Sequence, residues 1–342
     1  MSRLPTAYTE LVGVEHPIVQ EGMGPFNTAR LAAAVSEAGG LGTVSMPGMT
    51  LDPVEADRTI REQIAQAASL TDRPLAVNVP VGRDSTGNVL PVSAAYIGAV
   101  LAMRRSDSQL EGQLRVLTTS AGFPGEFRPA IAESGIIHQH KVGSTRHALK
   151  ACEAGVDVII ASGYEMGGHT HETPMHTFVL VPNVAQAVDV PVLLSGGARD
   201  GATLAAALCL GASGVAMGTR FIATHDNADW HPAYREKVLT AREGDDVVFP
   251  AVYGPARGLR TRGVDELERI LAAGEMSEGD VTRWKDEAMK RAQGRGEIEE
   301  GLVPAGQVAS AISELVSVAE FIPHTVDAAV EILAGLHVAP SA

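Results

Sequence analysis

The sequence predicts an α/β protein, a (β/α)8 TIM barrel with a helical lid subdomain inserted after strand eight. Short β-branched apolar runs alternate with helical patterns from residue 17 onward, which is the mark of βα repetition. Eight such runs precede the point, near Arg220, where the rhythm stops. Each crossover has room for a helix, so the strands must be parallel, and eight parallel strands can close on themselves.

Strand one is expected over 17–20 and ends at Glu21-Gly22-Met23. The helix over 28–38 then closes on Gly39-Gly40, a glycine C-cap. Strand two covers 41–45, and Pro53 suits the first turn of a helix over 53–69. Strands three to six cover 75–79, 115–119, 135–141 and 156–161. Strand seven covers 192–195 and strand eight 214–217, with helices over 144–154, 178–188 and 200–210. From 224 to 303 the pattern is charged and helical without strand signals, which predicts the lid or substrate subdomain. Apolar helical periodicity resumes after Pro304, so 304–342 is expected to complete the barrel domain begun by 1–223.

Composition narrows the ligand class. The 342 residues are 45% apolar and 20% charged, a profile that supports a large core. A net charge of −14 repels phosphate backbones and points away from nucleic acid, leaving a small-molecule substrate. The first residues lack the apolar run of a signal peptide, and no apolar stretch approaches the ~20 residues that span a bilayer. A cytoplasmic protein without membrane contact is expected, with a homodimer left open. Cys152 and Cys209 fall in apolar helical segments without metal-ligand spacing and read as core residues.

Residues at the carboxyl ends of barrel strands share one mouth, so their loops are read together. Ser195-Gly196-Gly197 after strand seven and Met217-Gly218-Thr219 after strand eight offer backbone N–H groups and a hydroxyl, which suits a phosphate monoester. Either turn alone would be explained by a need for positive φ; the pair in register favours phosphate. Asn78 and Lys141 end strands three and five among apolar neighbours, where each is expected to meet a polar ligand. The loop after strand six places Gly167-Gly168 beside His169, where backbone can approach a flat ring and a histidine can remove a proton or hold an anion. His169, His171, Glu172 and His176 lack the spacing of known zinc motifs, so no metal is expected. Arg257, Arg260 and Arg262 form a basic cluster that either receives an acidic substrate or is paired on a solvated face. Tyr253 nearby reads as a pocket or core residue.

Together these features resemble the nitronate monooxygenase family, formerly the 2-nitropropane dioxygenases, with its relatives the NADH:quinone reductases and FMN-dependent enoyl-[acyl-carrier-protein] reductases. The likeness runs over nearly the whole chain, from Gly13-Val14-Glu15-His16-Pro17-Ile18 and Gly22-Met23 through His140-Lys141, Gly167-Gly168-His169 and Met217-Gly218-Thr219-Arg220-Phe221 to Ala305-Gly306-Gln307. It implies FMN bound by Gly22, Met23, Asn78, Lys141, Gly167, Gly168, Ser195 to Gly197 and Met217 to Thr219, with His169 catalytic. The implied reaction is oxidation of an alkyl nitronate with O2 to a carbonyl compound and nitrite. The alternative it implies is reduction of quinones or enoyl thioesters, with NAD(P)H as co-substrate. Glu21 and Met166 depart from the pattern, standing where the family more often has small or neutral residues.

Overall fold

The computed structural model describes residues 2–24, 27–46, 50–84, 86–251 and 254–336, which leaves Tyr253 outside the described residues. Its strands are β1 (Ile18–Gln20), β2 (Gly42–Ser45), β3 (Leu75–Pro80), β4 (Leu114–Ser120), β5 (Ile137–Val142), β6 (Val158–Ser162), β7 (Gly168–His169), β8 (Val192–Ser195) and β9 (Val215–Met217). All but β7 form one parallel sheet in the order β1-β9-β8-β6-β5-β4-β3-β2. A bridge between Val19 and Leu41 joins its two ends, so the ring closes. Every expected barrel strand is present within two residues of its predicted ends.

The strands are buried on both faces, as parallel strands wrapped by helices must be. Val19, Leu41, Ala76, Val116, Val158, Ile160, Leu193 and Ala216 fill the barrel interior. A helix over Ala7–Val12, started by a Thr6 capping box, closes the amino-terminal end with Tyr8 and Val12 fully buried. The Tyr8 hydroxyl donates to Gln139 Oε1 at 3.2 Å. No element is predicted before residue 17, because six residues are too few to show helical periodicity.

Backbone contact between layers sets one strict requirement. The helix over Ala29–Glu37 presents small side chains to β2, and a Cβ at Gly42 would lie 1.8 Å from the Ala32 carbonyl oxygen. Gly42→Ala is therefore expected to cost about 3 kcal/mol or more, because backbone rather than a flexible side chain must yield. Thermal unfolding measures it; a melting temperature within a degree of wild type would contradict this packing.

The lid differs from expectation. Besides helices over Arg262–Ala273 and Glu278–Lys290 it contains an antiparallel hairpin, β10 (Asp246–Ala251) and β11 (Gly254–Leu259). β11 also pairs with β7, Ala256 opposite His169, and with β12 (Val303–Pro304), Leu259 opposite Val303. The segment predicted to be purely helical is thus mixed, and its sheet takes in the loop after β6. Phe249, Val264, Leu267, Val281 and Met289 form its own apolar core. The helix over Val318–Gly335 returns to the barrel against helices Gly201–Cys209 and Ala29–Glu37.

Both cysteines are unpaired; Cys152, half-buried, packs against the barrel core as expected, whereas Cys209 is exposed and is not a core residue. Cys209 is the last residue of its helix, beyond the buried Leu204, Ala205 and Ala207. Among the described residues no helix is long and apolar enough to cross a membrane.

Candidate active site

A cavity of about 830 Å3 opens at the carboxyl ends of the strands, roofed by the lid. All the candidate site residues line it. That follows from the barrel: strand ends far apart in sequence share a rim.

The two glycine turns stand side by side because β8 and β9 are neighbours. Gly196 and Gly197 take φ of +99° and +83°, and the space where a Cβ would stand at Gly197 is open. Such backbone leaves its N–H groups able to approach a phosphate. The Thr219 hydroxyl has a second task besides: Oγ1 accepts from Gly306 N–H at 2.9 Å, which leaves its O–H able to donate into the cavity. It ties the segment at 305–307 to the barrel. A Cβ at Gly167 would lie 2.5 Å from the Ala305 carbonyl carbon, so the loop after β6 rests backbone to backbone on that segment.

Asn78 and Lys141 reach the cavity from β3 and β5. A Cβ at Gly22 would lie 2.5 Å from Asn78 Cβ, so only glycine lets the amide lie against this loop. Met23 is held beside them by its N–H, which donates to Ser45 Oγ at 2.6 Å. Lys141 Nζ is not a lone cation: it lies 2.8 Å from Glu21 Oε2, and both side chains are mostly buried.

His169 sits on β7, so pairing with β11 fixes its backbone while its ring faces the cavity. The ring is reached from the cavity but walled by protein, and this burial, aided by the charge of Lys285, pushes its pKa down to about 4. Lys285, from the lid helix Glu278–Lys290, places Nζ 3.5 Å from His169 Nε2. Burial lowers Lys285 to about 8, against the pull of Asp286. At neutral pH the pair is an uncharged imidazole beside an ammonium. Lys285 escapes sequence reading, because a lysine on a charged helix normally marks a solvated face.

The other histidines of this loop diverge from His169. His171 packs on Gly143, where a Cβ would lie 1.9 Å from its ring, and burial and then the Lys141 charge push it to about 4. His176 turns to Glu165, whose carboxylate accepts from Thr177 N–H at 3.0 Å and so holds the next helix. Among the described residues no group of three histidine, cysteine, aspartate or glutamate side chains could hold a metal ion. Nor do the lid arginines line the cavity. Arg257 is buried against Asp246 and the Tyr164 ring, Arg260 pairs with Asp265 at 2.7 Å, and Arg262 pairs with Glu300. Of the two readings of that cluster, the paired one holds. Ala121, in the loop after β4, carries a φ of +70° at the cavity wall, a strained position with no sequence signal.

A closed barrel with a histidine, a lysine and two glycine turns around one cavity at its carboxyl end is the framework of a barrel enzyme. Residues 5–327 match the family model described as nitronate monooxygenase. The chain belongs to the nitronate monooxygenase family and is an oxidoreductase. It is 37% identical over 270 residues to a (3aS,4S,5R,7aS)-5-hydroxy-7a-methyl-1-oxo-octahydro-1H-indene-4-carboxyl-CoA dehydrogenase of Mycobacterium tuberculosis, covering 78% of this chain and 69% of that protein. It is 31% identical over 297 residues to a probable nitronate monooxygenase of Staphylococcus saprophyticus, covering 78% and 81%. FabK from Thermotoga maritima superposes with a TM-score of 0.84 at 33% identity, over 97% of this chain and 98% of that one. Nitroalkane oxidase from Streptomyces ansochromogenes, at 23% identity and TM-score 0.79 over 97% and 100%, shares the fold.

Proposed function

We propose that this protein is an FMN-dependent nitronate monooxygenase that oxidises an alkyl nitronate with O2 to a carbonyl compound and nitrite. The contact between His169 and Lys285 carries the reading, because it places a cation and a neutral imidazole together in the cavity that also gathers the glycine turns. Fit to FMN is supported by the open, positive-φ backbone at Gly196 and Gly197 and by a cavity at the upper end of the ~300–1,000 Å3 range of small-molecule sites. Gly196, Gly197, Gly218 and Thr219 would hold the phosphate, with Met23, Asn78, Lys141 and Gly167-Gly168 around the ring. Bound there, FMN supplies the electron-transfer chemistry that no side chain can.

The chain's own residues do the rest. The Lys285 ammonium attracts the anionic nitronate. Uncharged His169 orients it and, at neutral pH, has no spare proton with which to convert it to the nitroalkane. Trp230, Phe249 and Met289 line the lid side and keep water from the reacting carbon. Since Lys285 titrates near 8, affinity for the anion falls as pH rises through that value and the ammonium is lost.

A second reading is favoured by the apolar side chains of Leu51, Leu90, Val92 and Phe123, which also line the cavity. That apolar lining, with the carboxyl-CoA dehydrogenase relative, suits reduction of a quinone or an enoyl thioester by NAD(P)H. One pair of measurements divides the two. FMN-loaded protein should consume O2 with propyl-2-nitronate, and its flavin should stay oxidised for minutes when mixed anaerobically with NADH or NADPH. Rapid bleaching by either nicotinamide without nitronate-dependent O2 uptake would transfer the assignment to the reductase.

A further inference from the structure

Glu21 and Lys141 meet at the floor of the cavity, at the ends of β1 and β5. They also line a smaller pocket of about 50 Å3 beneath it, together with Gly22, Thr43, Asn78, Ser120 and Gln139. Every other residue around that pocket is neutral, so the pair is its whole complement of charge. Glu21 Oε2 takes the lysine at 2.8 Å, while Oε1 is buried without a hydrogen-bond partner. A carboxylate oxygen in that state has a cost that an alanine or glycine would avoid. The lysine alone would place a full positive charge against a ligand ring. With the carboxylate beside it the net charge is close to zero, and one of its three N–H bonds points away from the ligand.

We infer that Glu21 is a positioning residue that neutralises Lys141 and thereby lowers the reduction potential of a flavin bound in this cavity. The inference rests on the FMN reading above. Reduction adds negative charge to the flavin, and an uncompensated ammonium nearby would stabilise that form most. By cancelling the ammonium, Glu21 makes the reduced cofactor a better electron donor. The neutral pair also keeps Lys141 from competing with Lys285 for an anionic substrate.

The test is the midpoint potential of FMN bound to wild type, Glu21→Gln and Lys141→Met, with the FMN dissociation constant measured for each. Glu21→Gln should favour the reduced form by at least tenfold, an upward shift of about 30 mV for a two-electron couple. Lys141→Met, which leaves the carboxylate alone, should move it the opposite way by at least as much. Glu21→Gln that binds FMN normally at an unchanged potential overturns the inference while leaving the flavin assignment intact. Wild-type protein that fails to bind FMN overturns both. Should Glu21→Gln fold poorly, the Glu21→Gln/Lys141→Met double variant replaces it: a potential within 10 mV of wild type supports mutual cancellation, and one as low as Lys141→Met alone overturns it.

Discussion

His169→Asn is expected to keep FMN bound and to lower turnover by about 10²-fold, the order of loss when a group that orients the substrate is misplaced. Asparagine preserves polarity and approximate size but is shorter and sets its hydrogen-bonding atoms differently, so the change isolates the placement of the imidazole. The cofactor should stay, because the candidate phosphate turns lie on β8 and β9 rather than on β7. Lys285→Met is its companion: KM for an anionic substrate should rise by about tenfold or more, and the loss of activity above about pH 8 should disappear. Steady-state kinetics from pH 6 to 10 on the three proteins decides. An Asn variant at wild-type turnover would move catalysis away from this loop.

Stability should fall steeply on mild acidification, by on the order of 5 kcal/mol between pH 7 and pH 4. The cause lies in two buried histidines of β5. His138 and His140, on the face of β5 opposite Gln139 and Lys141, share the Thr119 hydroxyl at 2.8 Å each. Burial, with smaller contributions from neighbours, pushes them to about 3 and about 4, against 6.5 in the open chain. From pH 6.5 downward the unfolded chain therefore binds protons that the folded chain refuses. Stability from this source is complete above about 6.5 and is lost as pH falls toward 4. Urea unfolding at half-unit intervals should show uptake of at least two protons on unfolding near pH 5, to which His169 and His171, also pushed to about 4, add. A midpoint independent of pH between 7 and 5 would mean that these imidazoles are not held neutral.

The barrel was legible because each βα unit carries its own local signals. Gly39-Gly40 ends one helix and Gly211 another, and apolar runs such as Val192 to Leu194 admit little besides a buried strand. The candidate site was legible as a cluster for a related reason: once strand ends are known, the rim is known, and Gly196, Lys141 and His169 fall on it together. What stayed hidden depends on partners distant in sequence. The hairpin of β10 and β11 contains Pro250, Pro255 and two glycines, which argue against a strand, and it is held by pairing with β7 and β12. Lys285 and the Glu21 to Lys141 ion pair are equally invisible, since charges on separate elements meet only after folding. Cys209 shows the converse error, an apolar context that the helix end turns outward.

The pairing of β7 with β11 has a consequence for engineering. His169 is, in hydrogen bonding, a member of the lid sheet, although its chain position belongs to the barrel. The lid is therefore not a transferable cassette. A chimera that imports residues 224–303 from a relative would bring a foreign template for the strand that carries the histidine, and would misplace the His169 ring even if every barrel residue were kept. Exchanges among these enzymes should be cut so that the loop after β6 and the hairpin travel together.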